Sequence, residues 1–168
     1  MKKVKVLFCD LDGTLTSTIT GSTFPNGIWD MIFKFYVWDK IKELHPDVVC
    51  IVTNQGGIEK GFVDEDNFKK KLEYIIRSMT EYTGIRTVAH YCTSNDPDHY
   101  QRKPNPGMLD NIYNRVVRLM GIEATKEEML MIGDASGKEW QFSDSDLKTA
   151  QNYNIDYLDV DDFLFAEI

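Results

Sequence analysis

The chain has 168 residues, 42% of them apolar and 27% charged, with a formal net charge of −8. This length suits one domain spanning residues 1–168 with a sizeable core, and the composition excludes a disordered or low-complexity chain. No apolar run approaches the roughly 20 residues of a membrane span, and the acidic balance argues against a protein that grips nucleic acid through a broad basic groove.

In chain order, the basic start Met1-Lys2-Lys3-Val4-Lys5 is followed by the short apolar run Val6-Leu7-Phe8-Cys9. That run is too short for a signal-peptide core, so a cytoplasmic protein is expected. Lys5–Cys9 reads instead as a buried parallel strand. Thr14–Phe24, with Thr20-Gly21 as its turn, predicts a small β-hairpin flap. Pro25-Asn26-Gly27 breaks the chain, and a helix is expected within Met31–Leu44, ending near His45-Pro46. Asp47–Val52 is the second buried strand. Asp64–Tyr82 is a helix capped by Asp64 and stopped by Gly84, with Phe68, Leu72, Ile75, Ile76, Met79 and Tyr82 on one face. Thr87–Cys92 is a third strand. A helix over Pro106–Met120 turns Leu109, Ile112, Val116 and Leu119 inward. Glu128–Ile132 is a fourth strand, Asp144–Asn152 a helix, Ile155–Leu158 a last strand and Val160–Phe165 a last helix. Short apolar runs alternating with helix-period segments predict an α/β fold with a mostly parallel sheet. The odd, widely spaced cysteines Cys9, Cys50 and Cys92 predict free thiols rather than a disulfide framework.

The chemistry-bearing residues follow the strands. Asp10-Leu11-Asp12, Thr53-Asn54 and Gly133-Asp134 each come directly after a predicted buried strand, and parallel sheets bind ligands at the carboxyl ends of their strands. One shared crevice is therefore predicted. Asp10 and Asp12, two apart in extended chain, point to one side. Two close carboxylates require neutralisation, which Mg²⁺ supplies; Asp134 would complete the protein ligands and Asp146 is a further acid. A carboxylate beside Mg²⁺ is also a credible nucleophile towards phosphorus, the role read for Asp10. Asp12 is placed to protonate the leaving oxygen and then deprotonate water. Gly13 permits a tight turn with N–H groups facing a phosphate, Thr53 can donate a hydroxyl hydrogen bond, and Lys103 supplies positive charge to the transition state. Taken singly, each of these motifs is a common turn or a solvated lysine; their joint occurrence at strand ends carries the reading.

With these residues in view, Asp10-Leu11-Asp12-Gly13-Thr14-Leu15 resembles the signature hexapeptide of the haloacid dehalogenase-like phosphatases. Thr53-Asn54, Lys103 and Gly133-Asp134 match that superfamily's remaining motifs, and the resemblance covers nearly the whole chain. It implies a three-layer α/β/α Rossmann-like fold, Asp10 as nucleophile, Asp12 as acid/base, and Mg²⁺ held by Asp10, the Asp12 carbonyl and Asp134, with Asp146 as the second acid of motif four. Gly13, Thr14, Asn54 and Arg102 are assigned to the substrate. The stretches Thr53–Ile58 and Arg102–Met108 resemble two branches, the polynucleotide kinase 3′-phosphatases and the histidinol-phosphate and heptose-bisphosphate phosphatases. Thr20–Pro25, Gly133–Lys138 and Phe142–Asp146 favour the first.

The second branch carries a zinc loop, whereas only His90, Cys92 and His99 stand here, short of a four-ligand set. Gly133–Lys138 mimics a phosphate-binding loop of a kinase but is one residue short, with Glu139 in place of Ser or Thr. No long insertion follows Thr14 or Asn54, so no substantial cap domain is expected and the pocket should be open. An open pocket suits the 3′-phosphate end of a DNA strand, in keeping with a role in DNA repair. The alternative is a small-molecule phosphatase of the histidinol-phosphate or heptose-bisphosphate type. Of Trp29, Trp38 and Trp140, any could stack a base, with Trp38 expected in the core and Trp140 the one to test. Lys69-Lys70-Lys71 reads as a solvated helix face.

Overall fold

The computed structural model describes residues 3–167. In chain order its elements are β1 (Val6–Cys9), β2 (Thr16–Ser17), β3 (Ile32–Phe33), α1 (Phe35–Leu44), β4 (Val48–Asn54), α2 (Gly56–Glu59), α3 (Glu65–Thr83), β5 (Thr87–Cys92), α4 (Gly107–Ile112), β6 (Met129–Gly133), α5 (Ser145–Tyr153), β7 (Asp156–Asp159) and α6 (Val160–Phe165). Five strands form one sheet in the order β5-β4-β1-β6-β7, and every pairing in it is parallel. β1 lies in the middle, with Cys9 level with Ile51 of β4 on one side and Ile132 of β6 on the other. Among the described residues no helix is long and apolar enough to cross a membrane.

Side-chain alternation along β1 builds the layers. Leu7 and Cys9 pack with Val37, Trp38, Ile41, Leu72, Ile75, Met79 and Phe163 from α1, α3 and α6. Val6 and Phe8 pack with Met108, Leu109, Ile112, Ala150 and Tyr153 from α4 and α5. Both faces of β1 are buried, which explains why its sequence is a continuous apolar run. The expected α/β/α sandwich is the observed one.

α3 forms as its sequence dictates. The Asp64 side chain accepts from the Asn67 N–H at 3.0 Å, satisfying an orphan donor of the first turn. Phe68, Leu72, Ile75 and Met79 are buried, and Gly84 ends the helix at φ 72°. Tyr82 also lies on this face, its ring against Phe35 and Trp38 of α1. Its ring is partly exposed and its hydroxyl donates to Asp39 at 2.6 Å, because a phenol has a polar end to satisfy.

Two segments differ from the sequence reading. The flap's return strand is not within Thr14–Phe24: Thr16 pairs with Phe33 and Ser17 with Ile32, so Ile32–Phe33 is strand and α1 begins at Phe35. Thr20-Gly21 lies inside a long loop over residues 18–31 rather than at a tight hairpin turn. Beyond Ile112 the helix widens into a π turn over Tyr113–Val117 and then tightens over Arg118–Met120. The wider turn rotates the inward face by about one residue, so Val117 is buried while Val116 is 37% and Leu119 83% exposed. Val117→Ala is therefore expected to cost about 2 kcal/mol in urea unfolding, and Val116→Ala to stay within about 0.5 kcal/mol.

Candidate active site at the carboxyl ends of the strands

The three central strands β4, β1 and β6 deliver their following residues to one edge. Asp10 follows β1, and its N–H donates to Ile132 O at 3.1 Å, tying the start of the loop to β6. The chain then turns tightly, with Leu15 N donating to Leu11 O at 3.0 Å and Gly13 N to Thr16 O at 2.8 Å. Gly13 has φ 84°, and a Cβ there would collide with Asp134 Oδ2, so both backbone sign and close approach call for glycine. Lys34, just after β3, donates its ammonium to Gly13 O at 2.9 Å and steadies the turn from the flap side.

Lys103 comes from the loop after β5 and is 4% exposed. Its ammonium donates to Asp10 Oδ1 at 2.8 Å and to Asp146 Oδ1 at 2.7 Å. Burial works against its charge, but Asp10 and Asp146 outweigh burial and hold the group above its ordinary range. Asn54 fixes where this lysine starts: its side-chain oxygen accepts from Lys103 N at 3.0 Å and its amide donates to Lys103 O at 3.1 Å. Asn54, which the resemblance assigns to the substrate, has both polar ends of its side chain on the lysine's backbone.

Asp146, in the first turn of α5, is buried, and its Oδ2 accepts from Ala135 N at 3.1 Å. Gly133 lies so close that a Cβ there would meet Asp146 Oδ2. Carboxylate oxygens of Asp10, Asp134 and Asp146 lie within 4.8 Å of one another. One ammonium does not balance three carboxylates. Asp134 shows the imbalance: its Oδ1 is buried with no hydrogen-bond partner among the described residues. Burial first, then the charge of Asp10 and a hydrogen bond with it, push the Asp134 carboxyl up to about 9. An orphaned carboxylate oxygen beside two more acids fits a hard divalent cation, with Asp10, Asp134 and Asp146 as the residues to hold it. The Asp12 carboxylate is not in this cluster.

Asp12 faces a separate cleft of about 260 Å³, lined by Asp12, Gly13, Thr16, Ser17, Thr18, Gly21, Ser22, Thr23, Pro25 and Asp134. Its Oδ2 accepts from Gln55 Nε2 at 3.0 Å, and the same nitrogen donates to Thr53 Oγ1 at 3.0 Å. Gln55 thus joins the second motif to the acid. Its place directly after Thr53-Asn54 is the signal that the sequence carries for this role. Thr14 Oγ1 reaches Asp10 Oδ2 at 3.4 Å, so Thr14 orients the acid rather than facing outward. Arg102 is half-buried and donates to Ser94 O at 3.0 Å. Trp38 is buried, donating its indole N–H to Leu15 O at 3.0 Å, whereas Trp29 and Trp140 are exposed. His90 bonds Gln101 and Cys92 contacts His99 at 3.8 Å, two separate pairs rather than a ligand set.

A family model described as polynucleotide kinase 3 phosphatase matches residues 5–164. The bifunctional polynucleotide phosphatase/kinase of Schizosaccharomyces pombe is 30% identical over 93% of this chain, which spans 36% of that protein. The D-glycero-beta-D-manno-heptose-1,7-bisphosphate 7-phosphatase of Haemophilus influenzae is 30% identical over 77% of this chain and 71% of its own length. Among solved structures, D,D-heptose 1.7-bisphosphate phosphatase from B. bronchiseptica, complexed with magnesium and phosphate, superposes with a TM-score of 0.68. It is 20% identical, with 92% of this chain and 79% of that chain covered, a likeness of fold.

The orphaned acid sets a stability signature. Asp134 titrates at about 9 folded against an ordinary 3.8, so between these values the folded metal-free chain carries a proton that the unfolded chain lacks. This contribution is present in full below the lower value and is lost as pH rises through the upper one. Asp134→Asn is expected to raise the metal-free Tm at alkaline pH, by about 2–4 °C per kcal/mol recovered. An upward Tm shift with Mg²⁺ is expected for the wild type and not for Asp134→Asn, both read by thermal unfolding.

Proposed function

The chain belongs to the polynucleotide kinase 3 phosphatase family, within the haloacid dehalogenase-like phosphatases, and from that premise we propose that it is a Mg²⁺-dependent phosphomonoesterase working through an aspartyl-phosphate on Asp10. The observation that carries this reading is the meeting of Asp10, Lys103, Asp134 and Asp146 beside a cleft that Asp12 lines. Mg²⁺ held by Asp10, Asp134 and Asp146 supplies charge neutralisation for the phosphoryl oxygens.

The protein's own groups do the remaining work. Lys103 and Thr14 orient the Asp10 carboxylate, one oxygen of which attacks phosphorus while the bond to the leaving oxygen breaks. Asp12, protonated for this step, passes its proton to that oxygen, so the product leaves as an alcohol. Asp12, now ionised and held by Gln55, takes a proton from the water that attacks the phospho-enzyme. Inorganic phosphate departs, and Asp10 is free again. Lys103 keeps one positive charge against the transition state throughout. Loop N–H groups at Gly13 and Thr14, the Thr53 hydroxyl and Arg102 are the further groups assigned to the phosphate.

The proposed substrate is the 3′-phosphate end of a polynucleotide. The family match supports it, and so does a cleft walled by the flap rather than by a cap domain, which leaves the rest of a long substrate outside. The second reading is a heptose-bisphosphate type of phosphatase, favoured by the 30% identity to such an enzyme. The cleft lining presents hydroxyls and two acids, with neither lysine nor arginine among its residues, so the phosphates of a polynucleotide beyond its end lie outside it.

With Mg²⁺ at moderate salt, a 3′-phosphorylated DNA oligonucleotide is expected to be turned over faster than sugar mono- or bisphosphates; a clear preference for the sugars in kcat/KM contradicts the substrate reading. Asp12→Asn is expected to lower kcat on the oligonucleotide by about 10²–10⁴-fold, and Asp10→Asn to reduce turnover of any phosphate ester to background.

A further inference from the structure

The flap loop, residues 18–31, hangs from a hairpin with two residue pairs, yet it forms one wall of the cleft through Thr18, Gly21, Ser22, Thr23 and Pro25. Most of this loop is exposed, and one acid in it is not: Asp30 is 0% exposed. Asp30 Oδ1 accepts from Thr20 N at 3.0 Å, and Oδ2 accepts from Thr20 Oγ1 at 2.8 Å and from Asn26 N at 3.0 Å. From these two residues the bonds run outward to the cleft. Ser22 N and Asn26 Nδ2 each donate to Thr20 Oγ1 at 3.3 Å. Asn26 Nδ2 also reaches Ser22 Oγ at 3.3 Å, and Thr18 Oγ1 donates to Ser22 O at 2.7 Å. Burial pushes the Asp30 carboxyl up, but the N–H and O–H donors from Asn26 and Thr20 outweigh it, and the group lies below its ordinary value. A carboxylate accepting several donors makes the stronger, charge-assisted kind of bond, and removing it takes away the one acceptor shared by Thr20 N, Thr20 Oγ1 and Asn26 N.

We infer that Asp30 is a positioning residue for the leaving group: by drawing Thr20 and Asn26 onto one carboxylate it fixes the hydroxyl-lined flap wall against which the part of the substrate beyond phosphorus rests. This deepens the proposed phosphatase reading and rests on its placing the leaving group in the cleft beside Asp12. Asp30 is outside the Asp10, Asp134 and Asp146 cluster assigned to the cation, so its loss acts on recognition before it acts on chemistry.

The test compares Asp30→Ala and Asp30→Asn with wild type on two substrates, a 3′-phosphorylated oligonucleotide and a small aryl phosphate, and follows amide hydrogen exchange at Thr20 and Asn26. Asp30→Ala is expected to raise KM for the oligonucleotide about tenfold, the cost of ordering an unheld loop at each binding event. Its kcat should change little, and the aryl phosphate, too small to lean on the flap, should be far less affected. The Thr20 and Asn26 amides should lose protection. Asp30→Asn, which keeps one acceptor oxygen, should fall between the two.

Equal losses on both substrates, or an unchanged oligonucleotide KM with exposed amides, overturn the assignment. If wild type ignores the oligonucleotide, the substrate reading fails on its own. Asp30 is then judged by the same KM comparison on whichever ester of the substrate panel wild type prefers.

Discussion

A single buried ammonium organises this molecule. Lys103 stands between Asp10 and Asp146, at 2.8 and 2.7 Å, with its side chain 3% exposed. Three carboxylates on three different elements would repel one another and resist burial without it. The pairing does not complete the balance, since one buried oxygen of Asp134, Oδ1, has no hydrogen-bond partner among the described residues. The site is thus built around one ammonium and still short of positive charge. Removing the lysine would leave two buried acids uncompensated, a far larger loss than that of an exposed ion pair.

The sheet order makes this meeting possible. With β1 central and β4 and β6 at its sides, Asp10 and Asp134, just past their strands, and Thr53, in the last pleat of β4, emerge next to one another. Lys103 must reach in from beyond β5, and Asn54, at the end of β4, holds its backbone from both sides. On the far side, Asp159 at the end of β7 accepts from Ser136 Oγ at 2.6 Å and Gln141 Nε2 at 2.7 Å, bracing the loop that follows Asp134. Phe142 of that loop meets Phe24 of the flap edge to face, with ring centroids 5.5 Å apart. The loop after Asp134 thus touches the flap through two rings, and a buried aspartate braces each of the two segments.

Much of this was legible in the sequence, for identifiable reasons. Strands buried on both faces appear as unbroken apolar runs, so β1, β4 and β6 and the acids behind them could be found without coordinates. α3 was legible because its cap, its period and its terminal glycine agree. What escaped has a common cause in contacts distant along the chain. The π turn after Ile112 shifts Val116 and Leu119 outward, which no local pattern announces. Ile32–Phe33 looks like the start of a helix, and becomes strand because Thr16–Ser17 lies alongside. Asn54 and Gln55 sit in a recognisable motif, but their partners, 49 and 43 residues away, decide that one positions a lysine and the other an acid. Asp30 carries no motif at all; its burial arises from a loop folding back on it.

The metal-free site sets three acids against one ammonium and offsets part of the excess negative charge with a proton on Asp134. The direct measurement is calorimetric titration of the metal-free protein with Mg²⁺ near neutral pH, in buffers of differing ionisation enthalpy. Binding is predicted to release about one proton, because metal ligation requires the ionised carboxylate. Binding without proton release, or no Mg²⁺ binding while the fold is intact, would contradict it.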